Sequence, residues 1–138
     1  MMLAMVNITL QKKLTTKALS SKGDTLITHG PAKYGGEDEK FSPPDLLLAS
    51  LGSCILTVMG IYAAQLGVDL EGASVACSGQ MQTNPRRFSQ IDVEVRLPSN
   101  HPDSVKKTLE RAALNCPVHQ SLHPDISQNM RFIWGHNL

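Results

Sequence analysis

Ser42-Pro43-Pro44-Asp45-Leu46-Leu47-Leu48-Ala49-Ser50-Leu51-Gly52-Ser53-Cys54 opens the stretch that decides how this chain folds. Ser42 can cap a helix, the prolines suit a first turn whose N–H groups have no partner anyway, and Asp45 completes a capping box. From Leu46 to Val68 no residue carries a charge. The pattern predicts a helix running to about Leu66, with Gly67 supplying a left-handed stop. Its centre is apolar on every side, and such a helix must be covered all round. A chain of 138 residues has few elements with which to do that. A homodimer is therefore expected, with this helix central or close to the partner. The stretch is long enough to span a bilayer. However, Ser50, Gly52, Ser53, Thr57, Gly60, Gln65 and Gly67 dilute it, and it is flanked by Asp45 and Asp69 rather than basic anchors. A buried helix is the better reading, and no membrane association is expected.

On the N-terminal side, residues 6–15 and 24–29 read as short strands, with Ser20-Ser21-Lys22-Gly23 as a turn. Pro31 to Lys40, containing Gly35-Gly36, reads as a loop. On the C-terminal side, Val75, Cys77, Gly79 and Met81 alternate with Ala76, Ser78, Gln80 and Gln82. Ile91, Val93, Val95 and Leu97 alternate with Asp92, Glu94 and Arg96, the mark of half-buried strands. Asn84-Pro85-Arg86-Arg87 would turn one into the other. A second helix is expected to open near Asn100-His101-Pro102, carry Val105, Leu109 and Ala112 on one face, and end at about Asn115, because Pro117 disfavours helical geometry at Cys116. Met130 to Trp134 reads as a last strand. This order predicts an α+β fold with a mostly antiparallel sheet and a long central buried helix, as a single domain over residues 1–138.

Composition is that of a globular protein, 41% hydrophobic and 18% charged. Thirteen Lys and Arg balance twelve Asp and Glu for a net charge of +1, with no basic stripe, so nucleic acid is not an expected partner. Three cysteines at low density do not form the framework of a small secreted domain. The apolar start Met1–Val6 is too short for a signal segment and has no charged lead. A cytoplasmic location is the expectation.

There is no phosphate-binding glycine loop, dinucleotide fingerprint, H-E-x-x-H or G-x-S-x-G, so nucleotide, hydride and serine-hydrolase chemistry have no support. The cysteines remain. Cys54 lies inside the long helix, where it is either simply buried or a reactive thiolate. The helix dipole fades within the first turn. A reactive Cys54 therefore needs a cation from tertiary structure, with Lys33, Arg86 and Arg87 as the candidates. Cys116 sits at a helix end before Pro117, where a side chain can leave the regular surface. Cys77 belongs to the inward face of its strand and reads as core. Cys116, His119 and His123, with His101 and His136 elsewhere, lack the paired spacing of a zinc site, and these histidines read as solvated. No cofactor or metal is expected.

Two segments resemble a known family. Gly35-Gly36 followed by Phe41 to Cys54 resembles the signature before the first cysteine of OsmC/Ohr proteins, and Ala113-Leu114-Asn115-Cys116-Pro117-Val118 resembles the segment around their second. The order of elements is similar over roughly residues 5–135. The resemblance implies an intertwined homodimer that reduces organic hydroperoxides. In it Cys54 would be the peroxidatic and Cys116 the resolving cysteine, and the oxidised pair would be recycled by a dithiol, possibly lipoyl-type, reductant. Typical Ohr members carry a Glu ten positions before the first cysteine. That place here is Pro44, with Asp45 at nine, the spacing of the OsmC-like branch. They also carry an activating Arg in the N-terminal strands, whereas this chain has none before Arg86, leaving Lys12, Lys13 or Lys33 to substitute. The alternative reading is an OsmC-fold dimer without peroxidase activity that binds a small apolar or thiol-containing ligand.

Overall fold

The computed structural model describes residues 5–135. It contains β1 (Val6–Leu10), β2 (Thr15–Ser20), β3 (Thr25–His29), α1 (Pro43–Gln65), β4 (Ser74–Gln82), β5 (Arg87–Leu97), α2 (Asp103–Leu114), α3 (Pro117–Ser121) and β6 (Ser127–Trp134). Contacts group these into two compact units, residues 1–47 and 48–138, with α1 starting in the first and running on into the second.

In the first unit β1, β2 and β3 form an antiparallel meander. The single strand expected over 6–15 is broken by a 3-10 turn at Lys12–Leu14, after which Thr15–Ser20 is a strand of its own. Lys13 and Leu14 both adopt positive φ (55° and 56°), which non-glycine residues rarely do. No glycine or proline announces the break. Gly30 accommodates it: its N–H donates to the Leu14 carbonyl (2.9 Å), and a Cβ there would lie 2.7 Å from Leu14 Cβ. The 31–41 loop is tied to His29. The buried ring accepts the Glu39 N–H at Nδ1 (3.1 Å), and the His29 N–H donates to the Phe41 carbonyl. The capping box forms as expected: Ser42 Oγ accepts the Asp45 N–H (3.2 Å) and the Asp45 carboxylate accepts the Ser42 N–H (3.0 Å).

In the second unit α1 ends in a Schellman arrangement. Gly67 takes φ +69°, its N–H donates to Ala64, and the Val68 N–H reaches back to Ala63. β4 and β5 pair antiparallel with a bulge at Gln80/Met81, while β6 adds to β5 in parallel. The architecture is thus α+β with two three-stranded sheets in which antiparallel pairing predominates, rather than one sheet. β5 alternates strictly from Ile91 to Leu97, burying Ile91, Val93, Val95 and Leu97, and also buries Phe88 ahead of a break in the alternation at Ser89-Gln90. Each fully buried aliphatic contributes about 1.5–3 kcal/mol. Gly79, paired with Ile91, leaves room for the Phe88 ring, since a Cβ there would sit 2.3 Å from it.

α1 is long and apolar enough to cross a membrane by length and composition alone. Leu51, Ile55, Met59 and Ala63, four residues apart, are nevertheless at most 1% exposed, and form one buried stripe. The other side is open: Ile61 is 53% and Tyr62 45% exposed. All-round cover of this helix, expected from its composition, is not present within one chain.

Candidate functional site

Three elements of the second unit build the site. α1 carries Cys54 on the turn between the buried Leu51 and Ile55, so its thiol is half-buried. The approach of α1 to β4 depends on Gly52, whose Cβ position lies 2.8 Å from Val75 Cγ1 and 3.3 Å from Cys77 Sγ. α2 brings up the second cysteine. Leu109, Ala112 and Ala113 bury one face of the helix, and Asn115 closes it with its N–H on the Ala112 carbonyl. The chain then turns at Cys116 into α3, a short helix the sequence reading did not foresee. Pro117 takes its first position and Cys116 is its N-cap, with Sγ accepting the His119 N–H at 3.3 Å. A proline that ends one helix here begins another.

The two cysteines, distant in sequence, meet. The Cys116 side chain is fully buried, and its thiol lies close enough to that of Cys54 for the two to interact. Burial pushes the Cys116 thiol above its ordinary range. Interaction with the neighbouring Cys54 thiol pushes it the same way, against the opposing pull of the His119 and Val118 backbone N–H groups. Cys116 therefore keeps its proton and can present its S–H to the Cys54 sulfur. No cation is among the groups acting on it. Cys77 stands apart on β4 opposite Val93. It is half-buried rather than fully core, and its thiol is pushed up by desolvation.

The family model described as OsmC-like protein matches residues 36–130, most of the chain and both cysteine segments. The chain belongs to the OsmC-like family. A Psychrobacter arcticus 273-4 protein, provisionally described as an osmotic stress induced and detoxification response protein, is 35% identical over 92% of this chain and 93% of its own, with a TM-score of 0.87. The OsmC like protein of Mycoplasma pneumoniae (17% identity, 98% and 99% covered, TM-score 0.83) shares the fold. So does an organic hydroperoxide resistance protein of Elizabethkingia anophelis (14%, 97% and 97%, 0.74). No curated protein sequence matches the chain.

Within this OsmC-like chain two of the expected cations, Arg87 and Lys33, have other engagements. Arg87 Nη1 donates to the Phe88 carbonyl (2.8 Å) and its Nη2 lies 3.9 Å from Asp125, while Lys33 sits over the Tyr34 ring. Lys12 and Lys13 lie at the break between β1 and β2. His119 is not solvated as expected. Its Nδ1 is shut from solvent without a partner, and its carbonyl accepts from Gln128 Nε2 (3.3 Å). Among the described residues no three His, Cys, Asp or Glu side chains cluster to hold a metal, and His136 lies outside those residues. Sequence reasoning did not weigh one cation of α2. Arg111 lies exposed in the last turn of α2, five residues before Cys116.

Proposed function

We propose that the protein is a thiol peroxidase that reduces small organic hydroperoxides, with Cys54 as the attacking thiol and Cys116 as the resolving one. The observation carrying this reading is the closeness of the two thiols, which interact, one half-buried and reachable, the other fully buried. Further support comes from solved relatives of the same fold whose names concern organic hydroperoxide resistance, from Elizabethkingia anophelis and Bacillus subtilis.

The chemistry balances with the residues present and one external reductant. The Cys54 thiolate attacks one peroxide oxygen and the O–O bond breaks. The sulfur becomes a sulfenic acid, and the departing alkoxide takes up a proton to leave as the alcohol. Cys116 then attacks the Cys54 sulfur. The S–S bond forms as the S–O bond breaks, and the hydroxyl leaves with the Cys116 proton as water. An external dithiol, lipoyl-type in its simplest form, reopens the bridge by exchange and is itself oxidised to a disulfide. No metal or cofactor takes part.

In this reading the protein works as a homodimer in the reducing cytoplasm, the partner covering the side of α1 that exposes Ile61, Tyr62 and Leu66. Consumption of an alkyl hydroperoxide in the presence of a dithiol tests the activity. Turnover by the wild type and none by Cys54→Ser is the expected result, and equal turnover by Cys54→Ser refutes it. Ligand binding without turnover, the alternative, predicts thiols that hydroperoxide leaves unchanged.

A further inference from the structure

In the register of β6 against β5, Gln128, Met130, Phe132 and Trp134 stand opposite the buried Ile91, Val93, Val95 and Leu97, and residues so paired share a face. Gln128 is the one amide in this inward row. Placing it there costs free energy unless its polar atoms find partners, and its oxygen is shut from solvent without one. Its nitrogen is used: Nε2 donates to the His119 carbonyl at 3.3 Å. The N–H of the same residue, His119, donates to Cys116 Sγ, also at 3.3 Å. A line of two hydrogen bonds thus runs from β6 through α3 to the buried sulfur. α3 itself has five residues, well below the length of about 12 at which an isolated helix begins to hold in water. Ser121 Oγ on the Pro117 carbonyl and Gln120 Nε2 on the Leu114 carbonyl tie α3 to itself and to the end of α2. The Gln128 bond fastens it to the sheet.

We infer that Gln128 is a positioning residue for the resolving step: through the His119 backbone it holds Cys116 Sγ where it can attack oxidised Cys54. The inference rests on the peroxidase reading and concerns its second half. The Cys54 sulfenic acid has two fates. In one, Cys116 forms the S–S bond as the S–O bond breaks, and the hydroxyl leaves with the Cys116 proton as water. In the other, a second hydroperoxide gives an oxygen to the sulfur, which becomes a sulfinic acid, and leaves as the alcohol. The first needs Cys116 Sγ close and in line, and misplacement by about 1 Å slows such a step by up to about a hundredfold. The second does not involve Cys116. Gln128 therefore sets the partition between bridge and over-oxidation while taking no part in bond breaking.

The test oxidises the reduced wild type and Gln128→Met, a variant of similar length without the amide, with excess alkyl hydroperoxide, and counts bridged and sulfinic protein by intact mass. The ratio of sulfinic acid to bridge is expected to be about fivefold higher in Gln128→Met, the weight of one hydrogen bond, with the first attack on Cys54 as fast as in the wild type. Asp45→Ala, destabilised through the cap of α1, should keep the wild-type ratio. An unchanged ratio in Gln128→Met, or the same rise in Asp45→Ala, overturns the inference. Gln128→Asn, whose amide ends one carbon short of the His119 carbonyl, gives the same comparison if the methionine variant does not fold. Diamide separates the inference from the peroxidase reading. The Cys54 thiolate adds to its N=N bond, and Cys116 then forms the bridge as the S–N bond breaks and the hydrazine leaves. Diamide bridging about fivefold slower in Gln128→Met supports the inference even where hydroperoxide leaves the wild type unchanged, a result that sinks only the peroxidase reading. Equal bridging in the two proteins, or none in either, overturns it.

Discussion

Gly52→Ala is the most informative single change, because it presses on the packing that sets Cys54 in place. The new Cβ would lie 2.8 Å from Val75 Cγ1, where carbons normally rest about 3.5–4.0 Å apart. Either Val75 or α1 itself must therefore yield by about 1 Å. Overpacking of this kind costs about 1–3 kcal/mol. Helix propensity opposes it, since alanine is better than glycine inside a helix by about 1 kcal/mol. Gly60, eight residues further along α1, isolates that second effect: a Cβ there has nothing within 4 Å. Gly60→Ala should thus gain up to about 1 kcal/mol, and Gly52→Ala should fall below it by about 1–3 kcal/mol. Urea unfolding of both variants reads the difference, and each kcal/mol should appear as about 4 °C in thermal midpoint. Gly52 lies two residues before Cys54, so the same displacement should slow oxidation of the Cys54–Cys116 pair in a mild oxidant, since a bridge tolerates only a narrow range of Cα separation. A Gly52→Ala protein as stable as Gly60→Ala would show that α1 does not approach β4 as described.

Three further outcomes are expected. Asp45→Ala should lower stability by about 1 kcal/mol in urea unfolding through loss of the cap, with the rate of hydroperoxide consumption unchanged; a collapse of that rate would give Asp45 a role in the chemistry. At neutral pH iodoacetamide should modify Cys54 first and Cys116 only after unfolding, which peptide mass mapping reads; early labelling of Cys116 contradicts its burial. Stability should fall as pH rises above the ordinary thiol range. Below that range Cys116 is protonated folded and unfolded alike, whereas above it the unfolded chain releases a proton that the folded one retains. The slope for one such group is at most about 1.4 kcal/mol per pH unit. Unfolding of Cys116→Ser measured over the same range should show a shallower decline, with Cys77 supplying the remainder; an identical decline refutes the assignment.

Elements whose signals are local were legible in the sequence. Ser42 and Asp45 announced the start of α1, Gly67 its end, and the alternation from Ile91 to Leu97 the central strand, because caps and alternation are written within a few residues. β2 was missed because two non-glycine residues, Lys13 and Leu14, take the left-handed conformation without any turn residue to signal it. α3 was missed because Pro117 was taken only as a stop. The start of β6 was set too late because Ser127, Gln128 and Asn129 are polar, and their pairing with Gln90, Ile91 and Asp92 is fixed by the neighbouring strand rather than by hydrophobicity. For the site, Cys54 and Cys116 were named through a resemblance, since nothing local ties a residue of α1 to the turn after α2; that their thiols come close is a property of packing. His119 was read as solvated because the tight turn that folds α3 back on Cys116 had not been anticipated.

One stoichiometric addition of an alkyl hydroperoxide to the reduced protein, without any dithiol, tests the central claim most directly, with intact-mass and peptide mass spectrometry as the readout. Here the account predicts a protein lighter by a pair of hydrogens, whose digest contains the Cys54 and Cys116 peptides joined by a bond that a dithiol reverses. A Cys54 that climbs to the sulfinic acid while Cys116 stays free, or a protein whose mass does not change, would contradict it.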